Sequence, residues 1–391
     1  MSRPSPSPAL AGAGAALVAA LLLGLQAGAA PTSERPQGRR PAEGRAPQDL
    51  SSGTGSGAPA KDLSSGTSSS IAAEPPPRMP GPARGRGRPG AAAQNHACEA
   101  CHPEVAAEWR SSLHRKASTE PSYVRSLARE PSAFCRGCHA PEGDPDDPGR
   151  AAIHLGVGCV TCHAPEGVVL ASPRPGGANE AAPHALIRSA EFAGVAACAS
   201  CHEFEFPGSR TLMQSTVREH QASSYAALPC AACHMPTVAG GERRRSHAFV
   251  ASRDREVLAR AIKVAGERPT ASAVRLSLEP GAVGHAFPTG DLFRRLVVRA
   301  EVVGGRARAE RILTRHFGAD TRTLVVDDRV GAQEDEGGRV IVDLELGEAA
   351  RGRAIRWQLR YERVAFPRDE GSRAELDGAL VIAEGVLAAA P

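Results

Sequence analysis

Ten cysteines fall in five copies of one spacing, Cys-x-x-Cys-His, and none is left over. The copies are Cys98-Glu-Ala-Cys101-His102, Cys135-Arg-Gly-Cys138-His139, Cys159-Val-Thr-Cys162-His163, Cys198-Ala-Ser-Cys201-His202 and Cys230-Ala-Ala-Cys233-His234. Two thiols on one turn of chain can add to the two vinyl groups of a haem, and the histidine that follows reaches the iron from one face. With 13 histidines in 391 residues, a histidine would follow a given cysteine by chance roughly once in thirty times. Five in five points to five covalently attached haem c groups, each held by its two cysteines and its motif histidine.

Other cysteine chemistries fit poorly. A disulfide framework has no use for a histidine after every second cysteine. Structural zinc takes four ligands from two knuckles, which five knuckles do not divide into. A redox Cys-x-x-Cys of the thioredoxin kind is plausible once rather than five times.

The motifs lie between His96 and His234, and short helices joined by loops are expected to carry them. Glu104 to Ala117 and Leu212 to Ala227 have helical composition, and Pro103 suits a helix start. A domain of about 150 residues has a radius of gyration near 15 Å, so five porphyrins inside it must nearly touch. The rings supply apolar surface themselves, in keeping with an aromatic content of 4%. Internal echoes suggest construction by repetition. Cys138-His-Ala-Pro-Glu-Gly143 matches Cys162-His-Ala-Pro-Glu-Gly167, and Ala107-Glu-Trp-Arg-Ser-Ser-Leu-His114 faintly matches Arg218-Glu-His-Gln-Ala-Ser-Ser-Tyr225.

Cys101-His102 followed by Trp109, Ser112 and His114 resembles the multihaem cytochromes grouped with the tetrahaem cytochrome c of ammonia oxidisers and hydroxylamine oxidoreductase. Gly156-Val-Gly-Cys159-Val-Thr-Cys162-His163, Cys233-His-Met-Pro236 and Gly284-His-Ala-Phe-Pro-Thr-Gly290 are similar to other stretches of that group. The resemblance runs from about Cys98 to Arg295. It implies haems in close parallel and perpendicular pairs, most with two histidine ligands. It also marks His114, His247 and His285 as far-side ligands. The chain departs from the pentahaem nitrite reductases, whose catalytic haem carries a lysine where all five motifs here have histidine.

Among the remaining histidines, His184 sits in a Pro- and Gly-rich connection that can drape over a ring, and His154 stands five residues before Cys159. Both are candidate iron ligands. His220 lies where related sequences often carry Trp and reads as a stacking or hydrogen-bonding residue. His96 is too near its own motif to cap that haem, though it could cap a neighbour; His316 reads as a surface residue. Met213 reads as packing, and Met235 is fixed beside His234 and cannot turn to the same iron. Seven serviceable histidines for five irons force no open coordination site. Histidine on both sides gives lower potentials than histidine with methionine.

Beyond roughly Ala265, runs such as Val274–Leu278, Arg295–Val303, Val340–Leu346 and Ala354–Tyr361 alternate in polarity and read as strands. The expected fold is a mostly α/irregular, haem-stacked multihaem cytochrome domain (95–264) followed by an antiparallel β-sandwich-like domain (265–391) that packs on the haems. Pro288-Thr-Gly290 is expected to make the turn that aims His285. Arg294, Arg295 and Arg243-Arg-Arg245 are either propionate partners or solvated.

Ahead of these domains, Arg3, the apolar stretch Ala9 to Leu25 and Ala27-Gly28-Ala29 compose a cleavable signal peptide over 1–30, the alternative being an uncleaved anchor that leaves the protein tethered or at the cell surface. Pro, Gly, Ser and Arg dominate 31–94, read as a disordered tether. The tether holds 9 basic and 5 acidic residues and the signal peptide one Arg, so the formal +4 leaves −1 for the rest. Haem propionates make that part more acidic still. Export to the periplasm, no stable membrane span after cleavage, redox-protein partners and no nucleic acid follow as expectations. An electron carrier is the leading expectation. The alternative is an oxidoreductase of small nitrogen or sulfur compounds at one five-coordinate haem.

Overall fold

The structure is a computed structural model describing residues 78–83, 87–144, 146, 151–174, 182–205, 207–209, 211–239, 244–251, 253–290, 293–318, 323–332, 335–366 and 374–391. The expected signal peptide and the tether up to 77 lie outside the described residues. Among the described residues, no helix is long and apolar enough to cross a membrane.

The first half is built from short helices: α1 (Ala91–Cys101), α2 (Pro103–Ser111), α3 (Leu113–Lys116), α4 (Pro121–Arg129), α5 (Ala133–His139), α6 (Cys159–His163), α7 (Ala190–Ala193), α8 (Ala196–His202), α9 (Thr216–Ala222), α10 (Ala231–His234) and α11 (Arg255–Arg260). Small two-stranded pairings lie among them: β1 (Val169–Ala171) with β2 (Leu186–Arg188), and β3 (Glu203–Glu205) with β4 (Leu212–Ser215).

Two expected helices differ. The run from Glu104 breaks at Ser112, whose extended backbone ends α2 and whose Oγ accepts the Arg115 N–H to start α3. Leu212–Ser215 forms a strand instead of a helix, because it pairs with Glu203–Glu205 and the Arg315 guanidinium donates to the Leu212 and Met213 carbonyls.

The tether boundary at 94 also differs. Helix α1 begins at Ala91, and Ala83 and Arg88 ahead of it bond to the motifs. The Ala83 N–H donates to Gly137 O at 2.9 Å. Arg88 reaches Glu142 at 3.0 Å, Val160 O at 3.2 Å and Ala164 O. Gly87 has to be glycine, since a Cβ there would come within 2.3 Å of Glu142 O. A Pro/Gly-rich composition marks lack of a core of its own, and this strap borrows one.

The second half is antiparallel β. A three-stranded sheet holds β5 (Ile262–Thr270), β6 (Ala273–Pro280) and β11 (Val340–Glu345) in the order β11-β6-β5. A four-stranded sheet holds β7 (Arg294–Val302), β8 (Arg308–Leu313), β12 (Ile355–Phe366) and β13 (Glu375–Leu387) in the order β13-β12-β7-β8. A short pair, β9 (Arg315–Phe317) and β10 (Leu324–Asp327), completes it. Strand β5 starts before the boundary expected near 265. In β11, Val342 and Leu344 are buried and Ile341, Asp343 and Glu345 exposed, the period-two pattern of a sheet with one wet face. Leu276, Leu278, Leu296, Val298, Ile355 and Leu359 from both sheets share one core. Phe287, two residues past His285, is buried in that core and stacks on Tyr361 with centroids 5.8 Å apart. Helix α4 joins the halves through Ser126 Oγ, which donates to Ala365 O at 3.0 Å.

Candidate haem centres

Each motif folds as a helical turn. The first closes α1, the second closes α5, the third is α6, the fourth closes α8, and Cys230 caps α10. Residues three apart on a helix share a face, so both thiols of a motif point the same way. All ten thiols are free. Asn95 on α1 ties the first motif to the third: buried, it accepts the Cys159 N–H at 2.7 Å and donates to Glu99 at 2.9 Å. Gly158 leaves room for it, since a Cβ there would stand 2.6 Å from Asn95 Oδ1.

Three motif histidines face a second imidazole. His114 lies opposite His202 with ring centres 6.1 Å apart, His247 opposite His163 at 6.2 Å, and His285 opposite His234 at 6.3 Å. Rings in van der Waals contact would sit closer. Metal–imidazole bonds run about 2 Å and the ring centre lies about 1 Å further out, so two rings sharing one metal stand roughly 6 Å apart. The donor set and its spacing thus fit haem iron between each pair.

Hydrogen bonds set the tautomer that ligation needs. The Nδ1 of His163 donates to Leu170 O at 2.9 Å, that of His247 to Arg245 O at 3.0 Å, and that of His285 to Ala286 O at 3.1 Å. Each bond leaves Nε2 with its lone pair for a metal. Burial keeps these rings neutral. It pushes His114 down to about 3, with help from His202 and His234, and it lowers His163, His202, His234, His247 and His285. Phe249 stands edge-on to both His114 and His247, at 4.3 and 5.9 Å, on a left-handed backbone with φ 48°.

The other candidates fall elsewhere. His154 is exposed on a short turn and His184 is exposed beside its own neighbour, its Nδ1 3.3 Å from Ala185 O. Among the described residues neither lies opposite a motif histidine, and both are exposed. Both ring nitrogens of buried His220 face carbonyls, Gly284 O at 3.0 Å and Leu228 O at 2.8 Å, so neither points at an iron. His316 pairs with Asp328 at 3.1 Å, and His96 is exposed. His139 stacks on Tyr123 with centroids 4.1 Å apart and planes 6° from parallel, and its Nδ1 donates to Ala117 O. His102 is exposed, and among the described residues no imidazole lies opposite it at ligating spacing. The surplus of histidines therefore does not reach the first motif.

The arginines left open between propionate pairing and solvation have protein partners. Arg295 is buried against Glu362 at 2.8 Å, Arg244 pairs with Glu108 at 2.8 Å, and Arg245 donates to Ala231 O and Met235 O. Arg294 donates to Phe293 O at 2.6 Å, and Arg243 lies outside the described residues.

Neighbouring thiols show which motifs adjoin. The Cys138 thiol lies close enough to that of Cys201 to perturb it, and the Cys198 thiol likewise to that of Cys230. The neighbouring Cys198 thiol holds Cys230 below an ordinary thiol. Cys162 lies near Cys198 and Cys201, and Cys98 near Cys159, where burial pushes Cys159 up to about 12. The fourth motif thus meets the second, third and fifth, and the first meets the third.

The residues that sequence reasoning missed include Glu108, Glu219, Tyr123, Phe192 and Phe249. Phe192 lies 5.1 Å from the His163 ring. For the two glutamates a signal existed, since they match within the echoed segments 107–114 and 218–225.

Residues 97–164 match the family described as cytochrome c554 and c-prime. No curated protein matches the chain. Among solved structures, a penta-heme cytochrome c552 from Thermochromatium tepidum is similar in fold, with a TM-score of 0.57 and 18% identity, over 75% of this chain and 98% of that one. The five motifs, the opposed imidazoles and both likenesses support a multihaem c-type cytochrome.

Proposed function

We propose that the chain is an exported pentahaem electron carrier that passes electrons between periplasmic or membrane redox proteins. The observation that carries this reading is the meeting of all five motifs through their thiols, with the fourth at the junction. The cysteines and histidines of those motifs would hold haems, and a bound haem supplies one-electron exchange between ferric and ferrous iron. The protein's part is to fix the rings, exclude water and tune potentials through His114, His247, His285 and their hydrogen bonds. Intact-mass measurement and spectroscopic redox titration of full-length protein from a host competent in cytochrome maturation test it. Five added haem masses and several reversible one-electron steps are expected; a bare polypeptide mass would overturn it.

A second reading is favoured by His102. With no imidazole opposite it among the described residues, the first haem would offer an open face to a small nitrogen or sulfur compound. A high-spin electron paramagnetic resonance signal perturbed by nitrite or hydroxylamine supports chemistry there; an all-low-spin spectrum removes it.

A further inference from the structure

The echoed segments 107–114 and 218–225 make the same contacts in two places. In the first, the Trp109 Nε1–H donates to Val157 O at 2.8 Å, two residues before Cys159. In the second, His220 Nε2 lies 2.8 Å from Leu228 O, two residues before Cys230. Ser112 Oγ donates to Trp109 O at 2.7 Å, and Ser223 Oγ to His220 O at 2.8 Å. Glu108 accepts the backbone N–H of His247 at 2.8 Å, while Glu219 accepts that of Ala286, next to His285, at 3.2 Å. An arginine holds each carboxylate: Arg244 at 2.8 Å and the buried Arg329 at 2.6 Å.

We propose that these are two copies of one ligand-holding module, and that Glu108 and Glu219 are equivalent positioning residues for the far-side histidines of the third and fifth haems. The proposal rests on the haem-binding reading above. In each copy, a helix following one motif grips the approach to a later motif and, with its glutamate, the loop bearing that motif's second imidazole. A charged acceptor on a backbone N–H is a strong hydrogen bond, and here it fixes the loop from which an iron ligand projects.

The copies also run head to tail. His114 ends the first and faces His202 of the motif that opens the second. The matching position in the second copy is Tyr225, after which no further copy follows.

The test uses full-length, haem-loaded protein carrying Glu108→Ala or Glu219→Ala, read by electron paramagnetic resonance of the oxidised state and by redox titration. Glu108→Ala should lose the low-spin signal that His247→Ala loses, and Glu219→Ala the one that His285→Ala loses, each with an equal gain in high-spin signal. Glu108→Gln and Glu219→Gln should keep both signals, because the amide oxygen still accepts the N–H. If an alanine variant does not accumulate, Glu108→Asp and Glu219→Asp, too short to reach the same N–H, give the same readout. Alanine variants indistinguishable from the parent, or both losing one and the same signal, overturn the proposal. A parent without low-spin haem fails the haem reading itself instead.

Discussion

His234 and His285 face each other with ring centres 6.3 Å apart and planes 11° from parallel, although one closes a haem motif and the other lies on the approach to the β sheets. Phe287 anchors that approach in the β core, where its N–H donates to Val330 O at 2.8 Å and its carbonyl accepts the Val330 N–H at 3.0 Å. On the proposed reading, the β half would therefore help to hold the fifth haem. Replacing His285 with Met should raise one haem potential, by on the order of 0.1 V within the ~0.8 V that axial ligands span, and leave the covalent haems in place. Redox titration with intact-mass control checks it; an unchanged set of potentials would sever the proposed link between the halves.

The ring planes make a separate prediction. Those of His234 and His285 are nearly parallel, whereas those of His114 and His202 cross at 70°. Parallel imidazoles split the two π-type iron d orbitals, and crossed ones leave them nearly degenerate. The oxidised protein should show a rhombic low-spin signal lost in His285→Ala and a large-gmax signal lost in His114→Ala. Loss in the reverse order would contradict the pairing.

Phe287 itself can be weighed. Phe287→Ala removes a fully packed ring and should cost about 3–5 kcal/mol. Calorimetry should show the lower Tm, and the fifth haem should become easier for exogenous ligands to enter, because its histidine sits two residues away. A loss of stability with no change at that haem would confine Phe287 to packing.

Much of this was legible in the residues because attachment chemistry is local: five cysteine pairs and their histidines need only a turn of chain. The strands of β6, β7, β11 and β12 were legible for a similar reason, as one-sided burial writes itself as alternation. What was not legible depends on distant partners. Leu212–Ser215 has helical composition but becomes a strand through Glu203–Glu205 and Arg315. His154 and His184 stood beside His247 as candidates, and nothing local tells that it is His247 whose backbone Glu108 holds. Ala83 and Arg88 lie in a stretch with the composition of a tether, and the motif backbones offer them acceptors.

Arg295 and Glu362 form a buried pair inside the four-stranded sheet, 2.8 Å apart. Glu362→Ala leaves the guanidinium buried without its carboxylate, at a cost of about 3–5 kcal/mol. The double change Arg295→Met with Glu362→Leu should recover most of that, since the desolvation of both charges disappears together. Thermal unfolding of the single and double variants separates the two; equal losses would place the cost in packing rather than charge.

The strap makes the last prediction. Its Ala83 N–H bonds to Gly137 inside the second motif, Arg88 bonds to Val160 inside the third, and Gly81 lies against Ser200 inside the fourth. One stretch therefore clasps the three turns whose thiols converge. Arg88→Met removes the bonds to Val160 O, Ala164 O and Glu142, and charged hydrogen bonds of this kind contribute on the order of 2 kcal/mol each. The variant should still carry its haems, because attachment needs only the motifs, but limited proteolysis should cut sooner between 78 and 90. It should also leave the β half at its parental Tm, as no strand touches these bonds. Cleavage at the parental rate would show that the glycines and Ala83 hold the clasp without Arg88.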